Sequence, residues 1–210
     1  LKSLDLSSFD TSQVRSFEDY FRDCSSLQEI KMNFDTSQSE DMAYMFSGCR
    51  SLTSLDVSKF NTEKVTDMFY MFNEVKMVKS LDVSKFNTKN VEDMCGMFQD
   101  MSSVTSLDVS GFDTSNVIDM ALMFANVVMI KKLDVRNFNT SNVYDMYYMF
   151  GGTRSLTSLD VSHFDTSRCT DMSLMFDYCI ELTSLDVSNF NTGEVEDMSE
   201  MFSNCWELEL

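Results

Sequence analysis

Apolar positions along the chain follow two spacings in turn, and the pair of spacings recurs every 26 residues. Leu52, Leu55 and Val57 fall as L-x-x-L-x-V, and the alternation from Leu55 to Val57 predicts a short strand. Val65, Met68, Met71 and Phe72 follow at i, i+3, i+6 and i+7, which is one face of an α-helix or a 3₁₀ segment. Asn61 and Thr62, just upstream, bring side chains that cap such a turn. The string Leu55-Asp56-Val57-Ser58-Lys59-Phe60 returns at Leu81 to Phe86, Leu107 to Phe112, Leu133 to Phe138, Leu159 to Phe164 and Leu185 to Phe190. Leu4 to Phe9 is an earlier copy, and Ile30 to Phe34 is a copy one residue short, so there are eight units.

A strict period with one apolar residue type per column means that units stack in register, each covering its neighbour's apolar face. The L-x-x-L-x-L lead-in is that of a leucine-rich repeat. The expectation is an α/β repeat: a leucine-rich-repeat-like solenoid of eight 26-residue units, forming one domain over residues 1–210. Parallel strands about 4.8 Å apart would lie on one face and short α- or 3₁₀-helices on the other. A parallel β-helix is the alternative if the second segment is extended.

Composition sharpens this picture. The chain holds 18 Met, 18 Phe and no Pro. Sixteen of the Phe fall in two columns, Phe9 to Phe190 and Phe21 to Phe202, and fourteen of the Met fall in two more, headed by Met42 and Met45. Proline is excluded wherever a backbone N–H is needed by a neighbour, and Met tolerates small mismatches between units. The formal charge is −18, from 34 acidic and 16 basic residues, which disfavours nucleic acid as a partner. No apolar run reaches the roughly 18 residues of a membrane span, and no basic segment precedes an apolar one as in a signal peptide, so direct membrane insertion is not expected.

The repeats resemble those of BspA-like bacterial surface proteins, a divergent leucine-rich-repeat group. Leu182-Thr183-Ser184 leads into Leu185-Asp186-Val187-Ser188, and the run continues to Phe202 in the family's manner. The resemblance spans essentially the whole chain. It implies a cell-surface or secreted location and adhesion to host or matrix proteins, with a part in cell aggregation. The first two units depart from the pattern: Ser16-Phe17 stands for Asp-Met, Ser39 for Val and Lys31 for Asp.

Fourteen of the acidic residues stand in two columns. If Leu55 and Val57 face inward, the strand-face column of Asp5, Asp56, Asp82, Asp108, Asp134, Asp160 and Asp186 faces out, broken only by Lys31. Asp56 through Asp186 are the leading candidates for holding cationic groups of a partner protein. Hard oxygen ligands also suit Ca²⁺, but no EF-hand loop or glycine-rich calcium repeat is present, so no metal site is assigned. Such a row also keeps an exposed sheet from aggregating. Stacked carboxylates repel, so each is expected to gain a partner or a raised pKa. The second column, Asp41 to Asp197, is expected to cap the first turn of each helix. Tyr44, Tyr70, Leu122, Tyr148 and Leu174, joined by Phe69 and Tyr147, form a half-exposed stripe on the helical side. It suits packing between units or contact with a partner or second copy.

Cys24, Cys49, Cys179 and Cys205 share a column with Val75 and Val127, and Cys169 stands where other units have Val, which describes small buried hydrophobes. Adjacent units would still bring Cys24 near Cys49 and Cys179 near Cys205. The lone His163 occupies a variable position. With no phosphate loop, metal spacing or nucleophile motif, no catalytic residues, cofactor or enzymatic activity are expected. The chain starts on the first Leu of a unit and stops as a ninth begins, so the pattern predicts a window of a longer array or ends covered by other chains. The reading is a non-enzymatic protein-interaction or adhesion module. The alternative is a structural subunit of a filament, sheath or particle that self-associates through its ends.

Overall fold

The computed structural model describes residues 1–209, and its repeats are tied together mainly on the side opposite to the one the apolar alternation favours. The segment around each D-M-x-x-M-F is built from overlapping turns. In the unit of Asp41, the N–H groups of Met45, Ser47 and Cys49 bond back three residues, to the carbonyls of Met42, Tyr44 and Phe46 at 3.2, 3.0 and 3.1 Å. The intervening N–H groups, of Met42, Tyr44, Phe46 and Gly48, leave the unit and bond the carbonyls of Asp67, Phe69, Met71 and Asn73 in the next at 2.8–3.0 Å. Every second amide is therefore a rung-to-rung tie. An α-helix needs all of them for its own i−4 bonds. The chain also adopts positive φ at Tyr44 (56°) and Gly48 (73°), and at the matching residues of the other units, which no helix interior tolerates.

No helix is present among the described residues, which corrects the expectation of α- or 3₁₀-helices. The i, i+3, i+7 apolar spacing is met equally well by consecutive three-residue turns. Nor is the segment extended, as a parallel β-helix would require. Isolated parallel bridges run in series through Ser16, Asp41, Asp67, Asp93, Asp119, Asp145, Asp171 and Asp197, making one uninterrupted ladder.

The expected continuous sheet is broken. β1 (Ser3–Asp5) pairs in parallel with β2 (Glu29–Lys31), and β3 (Ser80–Leu81) with β4 (Ser106–Leu107), with a lone bridge between Lys132 and Ser158. No strand forms over Leu55 to Val57. The chain turns there instead: the Ser58 N–H and hydroxyl both donate to Asp56 Oδ1, at 3.0 and 2.6 Å, and the Phe60 N–H bonds the Val57 carbonyl. An Asx turn immediately after the inward Leu leaves no room for a longer strand.

A third tie comes from the Thr column. The Thr62 hydroxyl is buried, donates to the Asn87 carbonyl at 3.0 Å and accepts the Asn87 N–H at 2.8 Å; Thr36, Thr88, Thr114 and Thr166 do the same one unit on, and Thr140 donates to the Asp165 carbonyl. Each hydroxyl bonds the backbone of the Asn or Asp one unit on, and a hydrogen bond of this kind contributes about 0.5–1.5 kcal/mol net. Between these ties lies the core: Val, Met and Leu columns around a file of parallel Phe rings. Phe46, Phe72, Phe98, Phe124, Phe150 and Phe176 are fully buried, with successive centroids 5.7–5.9 Å apart.

Candidate protein-interaction faces

Asp56, Asp82, Asp108, Asp160 and Asp186 are exposed and Asp134 is half-buried, all in one file beside the inward Leu column. Each carboxylate is held by its own unit. Ser84, Ser110 and Ser162 donate N–H and hydroxyl to Asp82, Asp108 and Asp160 as Ser58 does to Asp56, and the Ser188 N–H bonds Asp186 at 3.0 Å. These bonds outweigh the mutual repulsion of the file. Hydrogen bonding to the Ser two residues on holds all five carboxyls below the usual carboxylate range. The sequence left a raised pKa open, and the partner prevails. Asp134 differs: the Arg136 guanidinium grips both of its oxygens, at 2.9 and 2.7 Å, and lowers its pKa to about 2. A shallow groove lined by Lys132, Asp134, Arg136, Ser158, Asp160 and Ser184 crosses the file at that point. The Arg136 side chain thus already occupies the centre of the row, leaving Asp56, Asp82 and Asp108 on one side and Asp160 and Asp186 on the other.

Four central members of the second column behave in the opposite way. Asp67, Asp93, Asp119 and Asp145 each accept the N–H two residues on, at 2.8–2.9 Å, so they cap turns in place of the expected helices. They are half-buried and stacked through the bridge ladder, and burial pushes their pKa values up, Asp93 to about 6 with Asp119 and Asp67 adding repulsion. Among the described residues no group of three or more His, Cys, Asp or Glu converges as a metal site.

The stripe of Tyr44, Tyr70, Leu122, Tyr148 and Leu174 coincides with the first left-handed position of each unit, with φ between 50° and 61°. Sequence reasoning saw the column and missed its backbone. A signal was present four residues on, where Asp23, Gly48, Asp100, Asn126, Gly152 and Asn204 are residue types that accept positive φ. All five stripe residues, with Phe69 and Tyr147, are half-buried. Tyr44 stacks on Tyr70 at 5.6 Å, Phe69 packs on both, and Tyr147 lies against Tyr148 at 6.1 Å. The Tyr70 ring also lies over Gly96, where an added Cβ would come within 2.7 Å of it. Gly96→Ala should therefore destabilise by about 1–3 kcal/mol, through positive φ and the clash. In a Tyr70→Ala background denaturant melts should show a clearly smaller loss, because only the φ penalty remains.

All six cysteines are free thiols. Burial pushes Cys49, Cys169 and Cys179 up to about 12, as suits small apolar fillers and not nucleophiles. His163 is exposed, its ring edge-on to Phe164 at 5.1 Å. No helix among the described residues is long and apolar enough to cross a membrane.

Comparison with known proteins bears on the fold more than on these faces. A leucine-rich repeat protein from Bacteroides ovatus, whose crystal structure is known, superposes with a TM-score of 0.50 at 15% identity, over 100% of this chain and 54% of that one. The chain thus spans about half the length of that protein and shares its repeat fold. No curated protein matches it. A family model described as Mycoplasma protein of unknown function, DUF285, matches residues 1–103, 49–155 and 128–209, overlapping stretches that cover the described chain. The chain, a leucine-rich-repeat-type protein, belongs to that family.

Proposed function

We propose that the chain is a non-enzymatic interaction module of a surface or secreted protein, a solenoid of eight units that binds a partner protein through its file of outward carboxylates. The observation that carries this reading is the fixed, ionised row itself. Five exposed Asp side chains are held by the Ser two residues on, four through its hydroxyl and Asp186 through its N–H, and keep their charge well below neutral pH, so a cationic partner surface meets a preorganised array. Adhesion to host or matrix proteins is the version that the BspA-like resemblance favours.

Changing Asp82, Asp108 and Asp160 together to Asn tests it. Asn keeps the acceptor that Ser58-type groups bond, so the turns survive while the charge goes. Capture of candidate surface proteins should weaken at least about tenfold, and capture by the unmodified chain should fall as salt rises from about 0.05 to 0.5 M, as the Debye length shrinks. Equal capture by the variant would remove the acidic file from the interface.

A further inference from the structure

We propose that Met77 and Met129, with Lys79, Lys131 and Lys132, form a docking stripe for an acidic amphipathic helix of a partner protein, apart from the carboxylate file and opposite to it in charge. The units are close copies of one another, and two of them break the pattern at the same places. Ser51-Leu52-Thr53, Ser103-Val104-Thr105 and Ser155-Leu156-Thr157 lead into the inward Leu of three units, whereas Met77-Val78-Lys79 and Met129-Ile130-Lys131 stand there in the two units between them. The middle residue of all five triplets is buried, so the exchange keeps the core and alters only the surface. Met77 and Met129 are 52% and 50% exposed.

The exchange also gives up a tie between units. Thr53, Thr105 and Thr157 each donate an N–H at 3.1–3.3 Å and a hydroxyl at 3.4–3.5 Å to a carbonyl one unit back, of Gln28, Lys79 and Lys131 respectively. Lys has no hydroxyl, and the N–H groups of Lys79 and Lys131 have no protein acceptor among the described residues. Positions that lose a tie and turn a large apolar side chain into water are placed for contact and not for folding.

Charge and spacing name the occupant. Lys79, Lys131 and Lys132 form no ion pair among the described residues, in a chain of formal charge −18, so three uncommitted ammonium groups flank two adaptable thioethers. Two units at about 4.8 Å each set the methionines about 10 Å apart along the array. Residues seven apart on one face of an α-helix are about 10.5 Å apart, whereas one face of an extended strand offers about 6.7 or 13 Å. A helix about 10 Å across fits beside the carboxylate file. A flat anionic membrane would also press on Asp82, Asp108 and Asp134, each three residues beyond the stripe, and be repelled.

Fluorescence anisotropy of a labelled helical peptide of about 20 residues, with Leu seven apart on one face and Glu beside it, tests this against a control peptide with the same composition and the Leu on opposite faces. The first peptide should bind saturably and more weakly as salt rises from about 0.05 to 0.5 M. Met77→Ser with Met129→Ser, the residue of the units between, should weaken binding at least about tenfold. Lys79→Thr with Lys131→Thr should weaken it several-fold while the thermal melt holds or rises, because the hydroxyl ties return. The variant with Asp82, Asp108 and Asp160 changed to Asn should bind the peptide at least as tightly, so the stripe and the acidic file stand or fall separately. No binding at millimolar peptide, equal binding of the control, or equal binding by the Met and Lys variants would overturn the stripe. Binding to phosphatidylglycerol vesicles that the same substitutions abolish would overturn the helix in favour of a membrane.

Discussion

Replacing Phe98 by alanine is expected to lower the unfolding free energy by about 3–5 kcal/mol, the range for truncating a large, fully buried aromatic side chain. Phe98 sits mid-file, its ring 5.8 Å from both Phe72 and Phe124 and within 12° of parallel to each. Truncation removes these two stacked contacts and a tilted one with Phe112 at 6.4 Å, and opens a cavity that the flanking units cannot close, because their backbones are pinned by amide ties above and below. Phe202→Ala is the internal comparison. That ring has one neighbour and is 42% exposed, so its loss should be under about 2 kcal/mol. Denaturant melts of the two variants check the contrast, and equal losses would contradict a continuous ring file. In a solenoid, where each unit touches only its neighbours, hydrogen exchange in the Phe98 variant should rise first in the units of Phe72, Phe98 and Phe124.

Mild acid is expected to stabilise the fold. Asp93 has a folded pKa of about 6, raised by burial and by Asp119 and Asp67, against an ordinary value of 3.8. A carboxyl raised on folding opposes the fold while it is ionised, so stability increases as pH falls from 7 through 6 and the gain is complete below about 4. Undiscounted, such a shift is worth about 3 kcal/mol, and partial exposure of the group reduces this to about 1–2 kcal/mol. Asp67, Asp119 and Asp145 shift in the same direction. The outward file acts oppositely: its lowered pKa values support the fold above pH 4, and that support is lost as the carboxyls protonate below it. Melting temperature should thus climb from pH 7 to about 5 and fall below 4. Asp93→Asn keeps the acceptor for the Cys95 N–H and should raise the pH 7 stability by about 1–2 kcal/mol while flattening the upper limb. A melt that declines steadily from pH 7 downward would contradict the half-buried placement of this ladder.

Much of this was legible in the residues, and the parts that were not share one cause. Columns of Phe and Met announced stacking, and Cys exchanging with Val announced small buried hydrophobes, because a side chain repeated at one position must meet its own copies; Thr was read only as a turn cap, and its bonds to the next unit were not foreseen. Secondary structure inside the unit was misread because spacing of apolar residues reports which side chains face inward, not where the amides point. Met68, Met71 and Phe72 face the core in a helix and in a chain of turns alike. What separates the two is backbone chirality at Tyr70 and Glu74, both at positive φ. Tyr at such a position carries no compositional warning, although the Gly and Asn of neighbouring units do. The Asp56–Ser58 turn stops a strand from running past Leu55 to Val57, as the same turn does after Leu81 and Leu107. That same pair sets the orientation of the candidate binding file, so the feature that shortened the strand also shapes the proposed site.

The central structural claim is that alternate amides of the D-M-x-x-M-F segment tie one unit to the next. Scalar couplings across hydrogen bonds, measured by NMR, address it directly. The amides of Met94, Gly96, Phe98 and Asp100 should couple to the carbonyls of Asp119, Ala121, Met123 and Ala125. Coupling of Phe98 to the carbonyl of Met94, as in a helix, would contradict it.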